Sequence, residues 1–154
     1  MIRNHVSLNV QFGLAFLIVI LDQITKFSVQ IYLKNGTKVL EFIPHLIQLR
    51  LVKNTGAAFS MLSGSTLLLG FLSLSVAIAI TIWCWIASPM RFWKGIGIAF
   101  ILGGTVGNGI DRFRLGYVID FLEIIPINFP IFNIADISIN IAIICLLIDM
   151  AKRR

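Results

Sequence analysis

"STLLLGFLSLSVAIAITIWCWIA", Ser65 to Ala87, contains no charged residue, and none occurs anywhere between Lys53 and Arg91. A helix crosses the hydrocarbon core of a bilayer in about 20 residues, so this run can span a membrane by itself. The chain around it has the same character: 154 residues, 58% hydrophobic and 13% charged, with a mean hydropathy of +0.93. A soluble domain of that length is far more polar, and the composition specifies a polytopic membrane protein with a single compact domain. The formal charge of +6 is accounted for by basic helix ends facing anionic lipid headgroups. Basic and aromatic residues are not interleaved as on a nucleic-acid face, so no nucleic-acid partner is expected.

Beyond Ala87, "GIGIAFILGGTVGNGIDRF" (Gly95 to Phe113) is glycine-rich, and its Gly103 and Gly107 form a GxxxG pair that lets another helix approach closely. A further apolar segment begins at Asn133 and runs to about Met150. Before Ser65, "FGLAFLIVIL" (Phe12 to Leu21) is short enough for a signal-peptide core. No small-residue cleavage site follows it, however, and apolar sequence resumes after "DQITK" (22–26), which predicts one helix from about Val10 to Leu33. The expected fold class is therefore all-α, with four transmembrane helices at about 10–33, 65–87, 95–113 and 133–150. Pro44, Pro89, Pro126 and Pro130 all fall between these segments. In "KVLEFIPHLIQLRLVK" (38–53), Ile47, Leu49 and Leu51 alternate with Gln48 and Arg50, which predicts a small β-rich cradle at the interface.

An even number of spans puts both termini on one side. Arg3, Arg91, Lys94, Lys152, Arg153 and Arg154 fall on the terminal side, and Lys26, Lys34, Lys38, Arg50, Lys53, Arg112 and Arg114 on the other. The raw counts do not decide the orientation. The terminal side packs its positives into short segments and ends in "KRR", so the termini are expected in the cytoplasm and the cradle outside.

Cys84 and Cys145 each lie in an apolar run and are expected as buried free thiols. His5 and His45 are too far apart for metal-ligand spacing, so no metal is expected. The informative residues are the polar ones at membrane depth, because an ionised aspartate there costs at least a few kcal/mol, roughly, unless it has a partner, a cavity or a task. Asp22 and Lys26 are four apart and can pair; Asn108 and Arg112 share a helix face beside Asp111, whose simplest partner is a neighbouring arginine. Asn133 is placed to cap the last helix, and Asp136 lies in that helix's first turn, where the dipole favours an anion.

Asp120 and Asp136 stand apart, since neither has a basic residue at helical pairing distance and both sit in apolar sequence. The "PINFP" turn (126–130) can return the last helix beside Asp120. In a carboxyl pair sharing one proton, one acid acts as general base toward water while the other polarises a carbonyl. That is aspartic-protease chemistry, although the DTG or DSG signature of the soluble enzymes is absent. The rival classes are a proton relay in a small transporter and a non-catalytic assembly subunit. A relay spreads its acids through the membrane, whereas these gather near one face, which favours hydrolysis.

Five blocks, "DQITK" (22–26), "NTGAAF" (54–59), "GNGIDR" (107–112), "VIDF" (118–121) and "FNIAD" (132–136), occur in this order. With them the sequence resembles the bacterial lipoprotein signal peptidases (signal peptidase II) over nearly its whole length. The resemblance implies four transmembrane helices, cytoplasmic termini and an outer β-rich cradle in the bacterial cytoplasmic membrane. It implies a cofactor-free, monomeric aspartic endopeptidase, with membrane lipids and diacylglyceryl-modified prolipoproteins as partners, that cuts before the lipid-bearing cysteine. By the same resemblance Asp120 and Asp136 are the catalytic pair; Asn54, Gly56, Asn108, Arg112 and Asn133 line or support the site; Asp22 and Lys26 stabilise its surroundings. One departure is Ile137, where the family usually has a hydroxyl residue, and it bears on the hydrogen bonding around Asp136.

Overall fold

The computed structural model describes residues 5–33, 39–56, 62, 64–127 and 129–152. Ala57, Ala58 and Phe59 of the second block, Asn128 of the turn, and Arg3, Lys34, Lys38, Arg153 and Arg154 of the charge count lie outside the described residues. Four helices dominate: α1 (Leu8–Tyr32), α2 (Thr66–Ala87), α3 (Phe92–Leu115) and α4 (Ile134–Ala151). Helices α1, α2 and α4 are long and apolar enough to cross a membrane. They turn large apolar side chains outward, among them Leu68, Phe71 and Leu72 on α2 and Ile143, Ile144 and Leu147 on α4, while Gln11, Asp22, Lys26 and Asp111 are buried. That inversion of a soluble protein's pattern is what a lipid solvent selects.

Helix α3, 24 residues and so about 36 Å long, is diluted by glycine because it is the hub of the bundle. It packs against α1, α2 and α4. A Cβ on Gly103 would lie 2.7 Å from Ile18 Cβ and 2.9 Å from the Ala15 carbonyl oxygen, so α1 rests on bare α3 backbone there. On another flank, a Cβ on Gly104 would lie 2.5 Å from the carbonyl oxygen of Ala135, in the first turn of α4. Gly104→Ala should therefore push that turn and Asp136 away. We expect a loss of about 1–3 kcal/mol of stability, read as a lower unfolding midpoint in detergent, together with a multi-fold drop in activity. Gly13→Ala, where a Cβ meets nothing within 4 Å, is the control that should show neither.

The strands form two separate pieces. At one end of the bundle β1 (His5–Val6) pairs antiparallel with β4 (Met90–Arg91). Here all three tryptophans gather: Trp83 and Trp85 on the last turns of α2 and Trp93 at the start of α3. Lys94 lies over Trp83 at 4.6 Å and Lys152 over Trp93 at 5.3 Å.

At the other end β2 (Val39–Ile43), β3 (Ile47–Asn54) and β5 (Val118–Ile124) form an antiparallel sheet in the order β2-β3-β5. Strand β5 follows α3 through Gly116, which ends the helix at φ +77, a left-handed conformation that glycine adopts without a Cβ penalty. Ile119 and Phe121 pack with Val29 of α1 and with Leu33, which caps its C-terminal end, and Leu49 and Leu51 close over them. The sheet is thus seated on the end of α1. Its register sets Val52 opposite Asp120 and Asn54 opposite Val118.

Candidate active site

Strand alternation turns Asp120 to the face opposite Ile119 and Phe121, and there it is buried. Its Oδ2 accepts from Asn54 Nδ2 at 2.9 Å and its Oδ1 from Asn133 Nδ2 at 2.7 Å. Asp136 is the third residue of α4, and Asn133 caps that helix in a full capping box: Asn133 Oδ1 accepts from the Asp136 N–H at 2.9 Å, and Asp136 Oδ2 accepts from the Asn133 N–H at 3.1 Å. The remaining Asp136 oxygen accepts from Asn108 Nδ2 at 2.9 Å. One buried residue, Asn133, therefore touches both carboxyl groups. The hydrogen-bond donors are neutral amides throughout, which orient the two acids without fixing the charge of either.

Charge enters one layer further in. Lys26, fully buried, bridges Asp22 at 2.8 Å and Asp111 at 3.0 Å, and donates to Asn108 Oδ1 at 3.0 Å. The sequence reading gave Asp111 an arginine partner; the structure corrects this to Lys26. On α3, Asp111 is rotated about 100° from Arg112 and faces α1.

The two acids of this cluster also hold backbone. Asp22 Oδ1 accepts from the Ala135 N–H at 3.0 Å and Asp111 Oδ2 from the Ile119 N–H at 3.1 Å. Ala135 and Ile119 immediately precede Asp136 and Asp120. The buried ion cluster therefore pins the segment bearing each carboxyl.

Arg112 closes the opposite wall, donating from Nη1 to Ser73 Oγ at 3.2 Å and from Nη2 to the Gly56 carbonyl at 3.4 Å. Its buried Nε has no hydrogen-bond partner among the described residues. Gly56 in turn donates its N–H to Asn54 Oδ1 at 2.9 Å, so Arg112 is linked through Gly56 and Asn54 to Asp120. Burial first, and the charge of Asp136 second, push the Asp120 carboxyl up to about 6, with the amides of Asn54 and Asn133 pulling the other way. A buried carboxyl, Asp120, and a half-buried one, Asp136, both held by Asn133, the first with a tendency to keep its proton, can take a proton from water and give one to a carbonyl oxygen.

The family description "Signal peptidase (SPase) II" matches residues 14–152. This chain belongs to the signal peptidase II family. It is 51% identical over 142 residues to the lipoprotein signal peptidase of Parasynechococcus marenigrum (strain WH8102), covering 92% of this chain and 89% of that one. To the lipoprotein signal peptidase of Synechococcus sp. (strain RCC307) it is 44% identical over 140 residues, covering 89% and 91%. Two solved bacterial membrane enzymes, determined by the in meso method at 2.3 and 1.9 Å, share the fold at a TM-score of 0.86. The first is 31% identical, covering 97% of this chain and 93% of its own; the second is 29% identical and covers both chains fully.

In this signal peptidase II, all nine residues named from the sequence meet in one connected network. Sequence reasoning missed Gln23, whose Nε2 reaches Asp22 (3.2 Å), Asp111 (3.1 Å) and the Gly107 carbonyl (3.3 Å). It also missed Ser73, and Asn140, whose Nδ2 donates to the Asp136 carbonyl at 3.0 Å. Uncharged side chains give little signal alone, although Gln23 stands beside Asp22 in the first block. Ile137 costs Asp136 none of these bonds, because its side-chain acceptors are filled by Asn108 and Asn133.

Proposed function

We propose that this chain is a membrane aspartic endopeptidase that removes the signal peptide from diacylglyceryl-modified prolipoproteins, cutting immediately before the lipidated cysteine. The observation that carries the reading is that Asn133 holds both carboxyls, donating from its side chain to Asp120 and from its backbone N–H to Asp136. Asp136, at the positive end of α4, is the ionised base; Asp120 holds the proton. Asp136 takes a proton from water as the hydroxyl adds to the scissile carbonyl carbon, and Asp120 gives its proton to the carbonyl oxygen. The diol then collapses: its hydroxyl proton returns to Asp120, Asp136 protonates the leaving nitrogen, and the C–N bond breaks. Asn54, Gly56, Asn108, Arg112 and Asn133 line or hold this site, while Asp22 and Lys26 stabilise it.

In this reading the whole chain is one membrane domain and a monomer, with α3 as its fourth span. Arg91, Lys94, Lys152 and the tryptophans gather at the end remote from the carboxyl pair, which supports a cytoplasmic location for that end and for both termini, with the β2-β3-β5 sheet outside. The diacylglyceryl group, at about 0.8 kcal/mol per buried CH₂, holds the scissile bond at the depth of the dyad. Purified protein should cleave a lipidated prolipoprotein efficiently and its unlipidated precursor poorly. Equal turnover of the two would overturn the assignment.

The proton on Asp120 has a measurable edge. Because its folded value of about 6 lies above the ordinary 3.8, Asp120 contributes stability that is fully present below about 3.8 and lost as pH rises through about 6. The same ionisation removes the acid, so kcat/KM for a lipidated substrate should fall about tenfold per pH unit above about 6. The limb belongs to the coupled pair rather than to one residue. An alkaline limb beginning only above pH 8 would show that the pair keeps its proton well above 6, against the shift described here.

A further inference from the structure

At the end of the bundle away from the carboxyl pair, a cavity of about 360 Å³ is lined by Ala87, Pro89, Met90, Arg91 and Lys94. Lys94 and Asn108 lie on the same helix, about 21 Å apart along its axis, so the cavity is separate from the site above. Its walls divide by chemistry: Ala87, Pro89 and Met90 are apolar, and two cations stand at the rim.

Both cations are held in place from behind. Arg91 spends one edge of its guanidinium on Asp149, with Nε at 2.9 Å and Nη2 at 2.6 Å from Oδ1 and Nη2 at 2.9 Å from the backbone oxygen. Nη1 makes none of these bonds, and the side chain is 38% exposed. Lys94 is steadied by the face of Trp83, and no ion pair joins it to a carboxylate among the described residues. Cavity charge is therefore positive after Asp149 is counted against Arg91. Helix α3 begins here with Arg91 as its N-cap, and the Arg91 side chain makes no capping hydrogen bond, so the helix adds a positive dipole end. The surrounding tryptophans mark headgroup depth in a bilayer.

A site with a positive rim, an apolar wall and headgroup depth fits an amphiphilic anion. We propose that the cavity between the end of α2 and the start of α3 binds the phosphodiester of an anionic glycerophospholipid, with Lys94 and Arg91 on the phosphate oxygens and Ala87, Pro89 and Met90 against the first methylenes. Inorganic phosphate would leave the apolar wall unused. The assignment needs the chain in a membrane but does not depend on the peptidase reading.

The test uses the full chain purified into detergent and titrated with dioleoyl-phosphatidylglycerol or dioleoyl-phosphatidylcholine. Native mass spectrometry counts retained lipid, and thermal unfolding is followed in parallel. The wild type should retain one phosphatidylglycerol several-fold over phosphatidylcholine, and its unfolding midpoint should rise with that lipid alone. Lys94→Gln should lose most of this preference while unfolding like the wild type in phosphatidylcholine. Lys53→Gln removes the same charge at the other end, where Lys53 lies over Tyr117 at 4.9 Å, and should keep the preference. Equal losses in the two variants would mean diffuse attraction and overturn the site. A midpoint raised as far by inorganic phosphate would overturn the lipid assignment.

Discussion

Asp120→Asn and Asp136→Asn should each lower cleavage of a lipidated prolipoprotein by roughly 10²–10⁴-fold, with little change in membrane insertion or unfolding midpoint. The amide keeps the carboxyl's shape but neither takes water's proton nor donates one as an acid. The cost to the fold is limited to about one hydrogen bond per variant, where the new amide nitrogen replaces an acceptor facing an N–H donor, and no buried cation is left stranded. For Asp120 the exchange should offset that loss at pH 7, since burial already disfavours its ionised form. The double variant should be scarcely worse than either single one, because the two acids act as a unit. Near wild-type cleavage by either single variant, measured on a lipidated substrate, would sink the two-aspartate mechanism.

Lys26→Met should do the opposite, damaging the fold first. Methionine fills nearly the same volume, but it leaves Asp22 and Asp111 facing each other with no counter-charge, both fully buried. Removing one partner from a buried ion cluster costs about 3–5 kcal/mol, on the order of 10 °C in unfolding midpoint for a chain of this size. Activity should fall too, since Asp22 and Asp111 hold the Ala135 and Ile119 N–H groups beside the carboxyl pair. Adding Asp111→Asn should recover part of the midpoint by removing one stranded charge. A Lys26→Met protein as stable as wild type would show that the cluster contributes nothing net to the fold.

Much of this architecture is written locally. The uncharged stretch from Lys53 to Arg91 announces α2, and Asn133 ahead of the last apolar run announces the N-cap of α4, which the structure extends to a reciprocal capping box with Asp136. Strand β5 was not legible, because Val118, Ile119, Asp120 and Phe121 are all buried, and a strand covered on both faces shows no alternation. The partner of Asp111 was hidden for a different reason: spacing along α3 says which residues share a face, but not which helix lies across it. Gly107 carried that information faintly, for a Cβ there would lie 2.7 Å from Asp22 Oδ2. Only the packed bundle turns a bare glycine into the statement that α1 and its acid come next.

The fastening of Ala135 to Asp22 also has a bearing on biosynthesis. Helix α1 precedes the other three in the chain and can enter the bilayer with Asp22 and Lys26 neutralising each other at 2.8 Å. The second partner of Lys26, Asp111, arrives only with α3, and the Ala135 N–H that donates to Asp22 arrives only with α4, the latest of the four in the chain. Asp120, made before α4, still lacks both Asn133 and Asp136 at that point. Under the proposed mechanism, a chain whose α4 has not yet docked lacks the paired carboxyls and should have no peptidase activity, because packing of α4 is what brings Asn133 and Asp136 to Asp120.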